Sequence, residues 1–329
     1  MIPEKLKKGD EIRVIAPSRS MKIINAETRE IANKRFEDLG LKVTFGKHVE
    51  ECDGFTSSSV EARIEDLHEA FADKNVKAIL TVIGGFNSNQ LLSYIDYDLI
   101  KNNPKIFCGF SDITALSNTI YAKTGLVTYS GPHYSSFGMK YGFEYTLDYF
   151  KKMFFNDEEF EVTSSDVWSN DSWFIDQDKR EFFKNHKMFC INEGEAEGKI
   201  IGGNLSTISL LTGTEYMPDF ESDTILFIEN DGTASGAVYL VEFDRMLHAL
   251  IHQPGFKNVR GIVLGRAEKS SDMNPEKWKM MIKNKRELDN IPVIADADFG
   301  HTTPIFTFPI GGNARIESTE NGVKIFVKG

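Results

Sequence analysis

The stretch AILTVIGG, residues 78–85, decides the fold class. Residues 78–83 are almost continuously apolar and rich in β-branched side chains, which is typical of a strand buried on both faces of a parallel sheet. The pair Gly84-Gly85 ends this strand and predicts a turn into a helix. Because parallel strands need crossover connections, strand and helix signals should alternate on either side of this stretch.

The remainder of the N-terminal half shows this alternation. Further strands are predicted at residues 11–16, 41–45 and 105–108. Helices are predicted at residues 25–39, 60–72 and 112–123. This order predicts an α/β fold in which helices cover a parallel sheet.

The alternation stops between residues 157 and 195, where the sequence is polar, aromatic-rich and weakly periodic. A long segment of this kind is typical of a functional loop or a linker. Beyond it, strands are predicted at 198–201, 224–229, 261–264 and 292–295, helices at 238–251 and 275–288, and a terminal β-hairpin turning at Asn321-Gly322. We predict an N-terminal α/β domain at residues 1–160, a connector or lid at 161–195 and a mixed C-terminal domain at 196–329.

Composition narrows the range of partners. The 329 residues carry a net charge of −11, and no basic cluster offsets it, which disfavours nucleic acid and anionic membrane surfaces. We expect neither a signal peptide nor a membrane span, because no apolar run has the necessary length. The three cysteines, Cys52, Cys108 and Cys190, are widely spaced, which argues against a disulfide framework and favours a reducing cytoplasm.

The segment Gly109-Phe110-Ser111-Asp112 joins a predicted strand to a predicted helix. A serine on such a turn can present its hydroxyl as a nucleophile, and the N–H of the next residue, Asp112, can bind a substrate oxygen. The motif G-x-S-x-G is incomplete, because Ile113 occupies the last glycine position. Ser111 and Asp112 are also favourable helix N-caps, so the pattern leaves both interpretations open.

Three further motifs supply the remaining parts of an acyl-transfer site. The N–H groups of Gly85 or Phe86 are candidates for binding an oxyanion. Glu229, at the end of a predicted strand, is a candidate for orienting a histidine, and His301, in a loop after another strand, for acting as a base. The structural alternatives are an ordinary turn, a solvated glutamate and a buried structural histidine.

Neither a metal nor a cofactor is predicted. His248 and His252 have the spacing of zinc ligands on a helix but lack the glutamate of H-E-x-x-H. No cysteine pair has the spacing of zinc ligands. The turn at Gly84-Gly85 matches neither a dinucleotide-binding fingerprint nor a P-loop.

Taken in order, these motifs resemble the LD-carboxypeptidase family of serine peptidases, which includes the microcin C immunity proteins. The resemblance runs nearly end to end, and the combination of segments is specific although each segment alone is not. The segments are LKKGDEI (6–12), APS (16–18), GGFNSNQLL (84–92), GFSDIT (109–114), SGP (130–132), GGNL (202–205), FIE (227–229), GH (300–301) and FPIG (308–311).

The resemblance implies a catalytic triad of Ser111, Glu229 and His301, with the oxyanion donors named above. It also implies a flavodoxin-like N-terminal domain that carries the serine and a β-rich α/β C-terminal domain that carries the glutamate and histidine. The site would lie between the two domains, without a cofactor, in a homodimer.

Residues 87–89 and the aromatic connector resemble the immunity subgroup, whose substrates are aminoacyl-nucleotides. This resemblance implies that a connector tryptophan, Trp173 or secondly Trp168, stacks on the nucleobase. It also implies that Asn204 and Glu268 contact the aminoacyl part, with Glu268 paired to an α-amino group. Both tryptophans could instead pack at the domain junction.

Two alternatives stay open. One is a muramoyl-tetrapeptide LD-carboxypeptidase of peptidoglycan recycling, which removes a terminal D-alanine from a muropeptide. The other is a non-catalytic two-domain protein that binds a ligand in its cleft. Some immunity members have a lysine shortly after the triad glutamate, whereas residues 230–233 have none, which speaks against a preference for acidic aminoacyl groups.

Overall fold

The computed structural model describes residues 1–220 and 222–328. Strands and helices alternate through the N-terminal part. The strands are β1 (Glu11–Ile15), β2 (Lys42–Phe45), β3 (Val76–Thr81), β4 (Ile106–Cys108) and β5 (Thr128–Ser130). The helices are α1 (Ala26–Asp38), α2 (Val60–Ala72), α3 (Tyr97–Asn102), α4 (Thr114–Thr124) and α5 (Glu144–Phe155).

Strand β3 lies inside a sheet whose pairs among β1 to β5 are all parallel. It pairs with β1 on one side and with β4 on the other. Residues 78–81 of β3 are buried, which confirms the prediction of a strand covered on both faces. The helix expected after Gly84-Gly85 is only a short 3-10 turn, Ser88–Leu91.

Most of the remaining strands build a second sheet. The strands are β6 (Phe160–Val162), β7 (Val167–Trp168), β8 (Phe183–Lys184), β9 (Phe189–Asn192), β10 (Gly194–Asn204), β11 (Thr224–Glu229), β12 (Val259–Gly265), β13 (Val293–Ala297), β14 (Phe308–Ile310), β15 (Asn313–Thr319) and β16 (Gly322–Lys328). The helices are α6 (Leu205–Ser209), α7 (Gly236–Ile251) and α8 (Pro275–Lys283).

The second sheet has eight strands in the order β6-β16-β15-β10-β11-β12-β13-β9. Its centre, β10 to β13, is parallel, and its margins are antiparallel. The predicted terminal hairpin forms as β15 and β16. The predicted fold class, a parallel-sheet N-terminal part followed by a β-rich α/β C-terminal part, is confirmed.

Two short strands cross the predicted domain boundaries. β6, at the first boundary, pairs with β16 of the C-terminal sheet. β14 pairs with β5 and becomes the sixth strand of the N-terminal sheet. We retain the division into residues 1–160, 161–195 and 196–329 as a proposal. Glu221 and Gly329, which the last segment includes, lie outside the described residues.

The predicted connector, residues 161–195, contains regular structure of its own. β7 and β8 pair as a two-stranded ribbon. Ser169 exchanges two backbone hydrogen bonds with Thr303, at 2.7 and 2.9 Å. The buried guanidinium of Arg180 forms a 2.9 Å ion pair with Asp171. The connector is therefore tied to the loop that carries His301. Across the described residues, no helix combines the length and the hydropathy of a membrane span.

A cluster of four buried phenylalanines joins the two sheets. The ring of Phe227, from β11, lies 5.0 Å from that of Phe308, which belongs to β14 in the other sheet. Phe299 and Phe306 complete the cluster, at 5.9 and 6.4 Å from Phe227. The packing of the two sheets against each other therefore depends on Phe227.

We expect Phe227→Ala to lower the free energy of unfolding by about 3–5 kcal/mol, because it removes a buried aromatic ring and leaves a cavity. Urea denaturation followed by circular dichroism measures this change. Phe55→Ala is the control, since Phe55 is 81% exposed. Its effect should stay within about 0.5 kcal/mol, as at other surface positions. Equal stabilities of the two variants would contradict the role assigned to the cluster.

Candidate active site

Ser111 lies on the turn between β4 and α4. Its φ of 61° is in the left-handed region, which residues other than glycine seldom adopt. Gly84 allows this turn to pack against the end of β3, because a Cβ atom at Gly84 would lie 2.9 Å from the Cβ of Ser111. Ser111 and Asp112 do not cap α4: its N-cap position is held by Ile113, without a side-chain hydrogen bond.

His301 lies between Ser111 and Glu229. Its Nε2 is 2.9 Å from the Oγ of Ser111, and its Nδ1 is 2.8 Å from Oε2 of Glu229. The serine follows β4, the glutamate ends β11 and the histidine lies in the loop after β13, so both sheets contribute. Gly300 permits this approach, because a Cβ there would lie 2.7 Å from Oε2 of Glu229.

Glu229 is held from behind by Asn204. The Asn204 Nδ2 donates to Oε1 of Glu229 and to Oδ2 of Asp231, both at 3.3 Å. Its Oδ1 accepts from the Thr207 N–H at 2.9 Å and so caps α6. Asn204 is 1% exposed. The structure thus places this residue, predicted to contact an aminoacyl group, behind the carboxylate with its amide already engaged.

The environment of His301 favours its protonated form. Burial alone would lower the pKa of His301, but the carboxylates of Glu229, Asp231 and Glu268 outweigh burial and raise the pKa to about 9. Because this pKa lies above the usual value for histidine, its contribution to folding stability is complete at pH values below that usual value. The contribution is lost as the pH rises through about 9.

These groups open into a cavity of about 810 Å³ bounded by both sheets and the connector. The predicted oxyanion residues Gly85, Phe86 and Asp112 line the cavity, as do Ser111 and His301. Within the described part of the chain, the N–H groups of Gly85 and Phe86 have no hydrogen-bond partner. They are therefore free to bind an oxygen atom of a ligand.

The residues predicted to bind substrate fall into two groups. Trp173 and Glu268 line the cavity. Oε1 of Glu268 accepts a 3.1 Å hydrogen bond from Asn170 of the connector. Trp168 lies elsewhere, with its ring 5.4 Å from that of Phe183 and with the guanidinium of Arg266 5.3 Å from its centroid.

Two residues of the site were not predicted. Asp231 lines the cavity two positions after Glu229, and this proximity to the strand end is a signal that could have identified it. His133 also lines the cavity, stacked at 4.3 Å on Phe110, with its Nδ1 2.7 Å from Oγ1 of Thr81. Burial, reinforced by the charge of His301, lowers the pKa of His133 to about 3, so its ring is neutral. His133 directly follows the SGP segment.

A serine, a histidine and a carboxylate connected in this way, beside free backbone N–H groups, form the arrangement of serine hydrolases. Comparison with known families agrees with this class. The LD-carboxypeptidase N-terminal domain matches residues 12–131, and the LD-carboxypeptidase C-terminal domain matches residues 197–316. The chain belongs to the LD-carboxypeptidase family of serine-type peptidases, which confirms the resemblance seen in the sequence.

The curated relatives include proteins named carboxypeptidase and a protein named microcin immunity protein, the two subgroups that the sequence suggests. "Putative carboxypeptidase YocD" of Bacillus subtilis is 52% identical, over 99% of each chain. The microcin C7 self-immunity protein MccF of Escherichia coli is 32% identical, over 87% of this chain and 84% of that protein. "Probable murein peptide carboxypeptidase" of Bacillus subtilis is 32% identical, over 97% of this chain and 92% of that protein.

Solved structures extend the similarity to the whole fold. An MccF-like protein from Bacillus anthracis superposes with a TM-score of 0.98 at 57% identity, covering 100% of this chain and 99% of that one. MccF in complex with glutamyl sulfamoyl guanosine superposes with a TM-score of 0.88 at 29% identity, covering 99% and 98%. The chain is thus grouped with enzymes, and the non-catalytic alternative has no support.

We expect NMR titration of the His301 ring to give a pKa of about 9. Asp231→Asn should lower this pKa, because it removes one of the negative charges that favour the imidazolium. Asp289→Asn is the control: Asp289 is exposed and does not line the cavity, so the titration should not move. A His301 pKa near or below the usual value would contradict the electrostatic account of the site.

Proposed function

We propose that Ser111, His301 and Glu229 are a catalytic triad that hydrolyses an amide bond of a small aminoacyl-nucleotide or peptide-like substrate. The observation that carries the proposal is the position of His301, whose two ring nitrogens lie 2.9 Å from the Ser111 hydroxyl and 2.8 Å from the Glu229 carboxylate. Geometry of this kind allows one imidazole to take and return a proton while its tautomer stays fixed.

In the first half-reaction, Oγ of Ser111 attacks the carbonyl carbon while Nε2 of His301 takes the hydroxyl proton. The tetrahedral intermediate then collapses, the C–N bond breaks, and His301 returns the proton to the leaving nitrogen. In the second half, water attacks the acyl-serine while His301 takes a proton from it; the bond between the acyl carbon and Oγ then breaks, His301 returns the proton to Oγ of Ser111, and the acid is released. Glu229 stabilises the imidazolium formed in each half.

The N–H groups of Asp112 and of Gly85 or Phe86 bind the oxyanion in this proposal. They line the cavity beside Ser111. One such donor is typically worth about 3 kcal/mol of transition-state stabilisation. Since His301 must be neutral to accept the first proton, and its pKa is raised to about 9, activity should rise with pH across the neutral range.

The substrate that we favour is an aminoacyl-nucleotide. Trp173 on the cavity wall offers a ring on which a nucleobase can stack. The related MccF is known in complex with glutamyl sulfamoyl guanosine. Glu268, which also lines the cavity, would pair with an α-amino group after exchanging its hydrogen bond from Asn170.

Charge on the acyl side favours neutral or cationic aminoacyl groups. Asp231 and Glu268 both line the cavity there. Arg19, the only arginine or lysine among the described lining residues, packs against Gly85. An acidic aminoacyl side chain would therefore meet like charges, which is unfavourable at short range.

The second candidate is a muramoyl-tetrapeptide LD-carboxypeptidase. It is favoured by the relative named "Probable murein peptide carboxypeptidase", which is similar over 97% of this chain. An amino group of a muropeptide side chain would also suit the carboxylates of Asp231 and Glu268. The homodimer and the cytoplasmic location stay predictions.

We expect the wild-type protein to hydrolyse lysyl-sulfamoyl adenosine faster than aspartyl-sulfamoyl adenosine, and Ser111→Ala to abolish both reactions. Product formation followed by liquid chromatography and mass spectrometry measures the rates. A muropeptide tetrapeptide is tested in parallel. Cleavage of the tetrapeptide alone would replace the nucleotide proposal by the carboxypeptidase one, and full activity of Ser111→Ala would exclude the triad.

Trp173→Ala should raise KM for the sulfamoyl adenosine substrates about 5- to 150-fold, since stacking of a base on an aromatic ring is worth about 1–3 kcal/mol. The same steady-state assay measures this. Trp168→Ala is the matched control, because it makes the same change in the same connector outside the cavity. If both variants raise KM equally, the tryptophans act through the connector's packing and not by stacking.

A further inference from the structure

The side chain of Asp112 has a set of hydrogen bonds that the triad does not explain. Asp112 is 2% exposed. Its Oδ2 accepts from the Ser18 hydroxyl at 2.6 Å, the Asn87 N–H at 3.0 Å and the Ser88 N–H at 2.9 Å. One buried carboxylate oxygen therefore gathers three neutral donors from two other segments. Hydrogen bonds accepted by a carboxylate are stronger than those between neutral groups.

The Ser88 side chain adds a fourth connection between the same segments. Its hydroxyl donates to the backbone carbonyl of Asp112 at 2.7 Å. On the far side of the loop, the guanidinium of Arg63 donates to the carbonyl of Asn87 at 3.0 Å and to that of Pro17 at 3.3 Å. The loop that follows β3 is thus fixed at its C-terminal end. Most of the hydrogen bonds that fix it come from Asp112, on the turn that carries Ser111.

Within this loop, backbone N–H groups without a hydrogen-bond partner are followed directly by N–H groups that have one. In the described chain, those of Gly85 and Phe86 have no partner, whereas the next two, of Asn87 and Ser88, both point to the Asp112 carboxylate. The Phe86 side chain is 77% exposed and so contributes little packing that could hold the loop. The free donors directly precede the anchored ones.

We infer that Asp112 is a positioning residue whose carboxylate sets the separation of the two halves of the oxyanion hole. Its own N–H belongs to one half, and its side chain holds the loop that supplies the other. This inference rests on the proposed function, because an oxyanion hole has meaning only if Ser111 acylates. A glycine-rich loop is too flexible to fix the separation of the oxyanion-binding N–H groups by its backbone alone, and the Asp112 side chain supplies this restraint.

The stage of the reaction at which the oxyanion forms determines how a change at Asp112 should affect kcat and KM. Negative charge on the substrate oxygen develops only in the transition state, so misplaced donors lower kcat and leave KM nearly unchanged. Asp112→Asn keeps the shape of the side chain and loses its charge. We expect kcat to fall about 10- to 100-fold, somewhat less than the 100- to 1,000-fold for complete loss of one donor. Ser18→Ala should lower kcat by a smaller factor, because the two loop N–H bonds remain.

The matched control is Asp66→Asn. Asp66 is another buried carboxylate that holds a loop, accepting the His48 N–H at 3.1 and 3.0 Å, and it does not line the cavity. The full-length variants are compared on lysyl-sulfamoyl adenosine and on the muropeptide tetrapeptide, with kcat, KM, the pH profile and the melting temperature measured for each. We expect Asp66→Asn to lower the melting temperature without a change in kcat, and Asp112→Asn to lower kcat with an unshifted pH profile.

Several outcomes overturn the inference. If Asp112→Asn shifts the pH profile, its charge acts on His301 and not on the loop. If its kcat equals that of the wild type, or if KM changes while kcat does not, the side chain does not position oxyanion donors. Full activity of Ser111→Ala, or cleavage of neither substrate by the wild type, would instead remove the proposed function and the inference with it. Loss of activity in Ser111→Ala with an unaffected Asp112→Asn would remove the inference alone.

Discussion

The two hydrogen bonds of the His301 ring are the constraint on which the rest of the site depends. They connect Ser111, from the turn after β4, with Glu229, from the end of β11, so one imidazole joins the two sheets. For both bonds to form, the sheets must be docked to within a few tenths of an ångström. The phenylalanine cluster around Phe227 packs the two sheets together, and the bridge between Ser169 and Thr303 ties the loop that carries His301 to the connector.

The same constraint explains the charge distribution around the site. A carboxylate as buried as Glu229 needs partners, and it has the His301 ring on one oxygen and the Asn204 amide on the other. Asp231 and Glu268 add negative potential, and together these groups outweigh the burial of His301. His133, which is more deeply buried than His301 and lacks carboxylate neighbours, stays neutral. Two histidines that line one cavity thus differ in charge, because burial lowers the pKa of His133 while the carboxylates raise that of His301.

Much of the fold could be predicted from the sequence, because local patterns encode it. The apolar run of β3 predicts a strand covered on both faces, and Asn321-Gly322 predicts the terminal hairpin. β14 could not be predicted, since a three-residue strand containing Pro309 has no periodicity and its partner β5 is far away in sequence. At the site, the motif around Ser111 is incomplete, so the sequence alone left its role open. The position of Asn204 behind Glu229 could not be predicted, because it depends on tertiary packing and not on the spacing of residues in the sequence.

The placement of β14 has a consequence for synthesis of the chain. The outer edge of β5 is covered only by residues 308–310, close to the C-terminal end of the described chain. While the chain emerges from the ribosome, the N-terminal sheet is complete except for this strand, and its edge remains available for pairing with other chains. A strand made late in synthesis therefore completes a sheet whose other strands are made early. A nascent or truncated chain that lacks residues 308–310 would expose the edge of β5 and would therefore be prone to chaperone binding and aggregation.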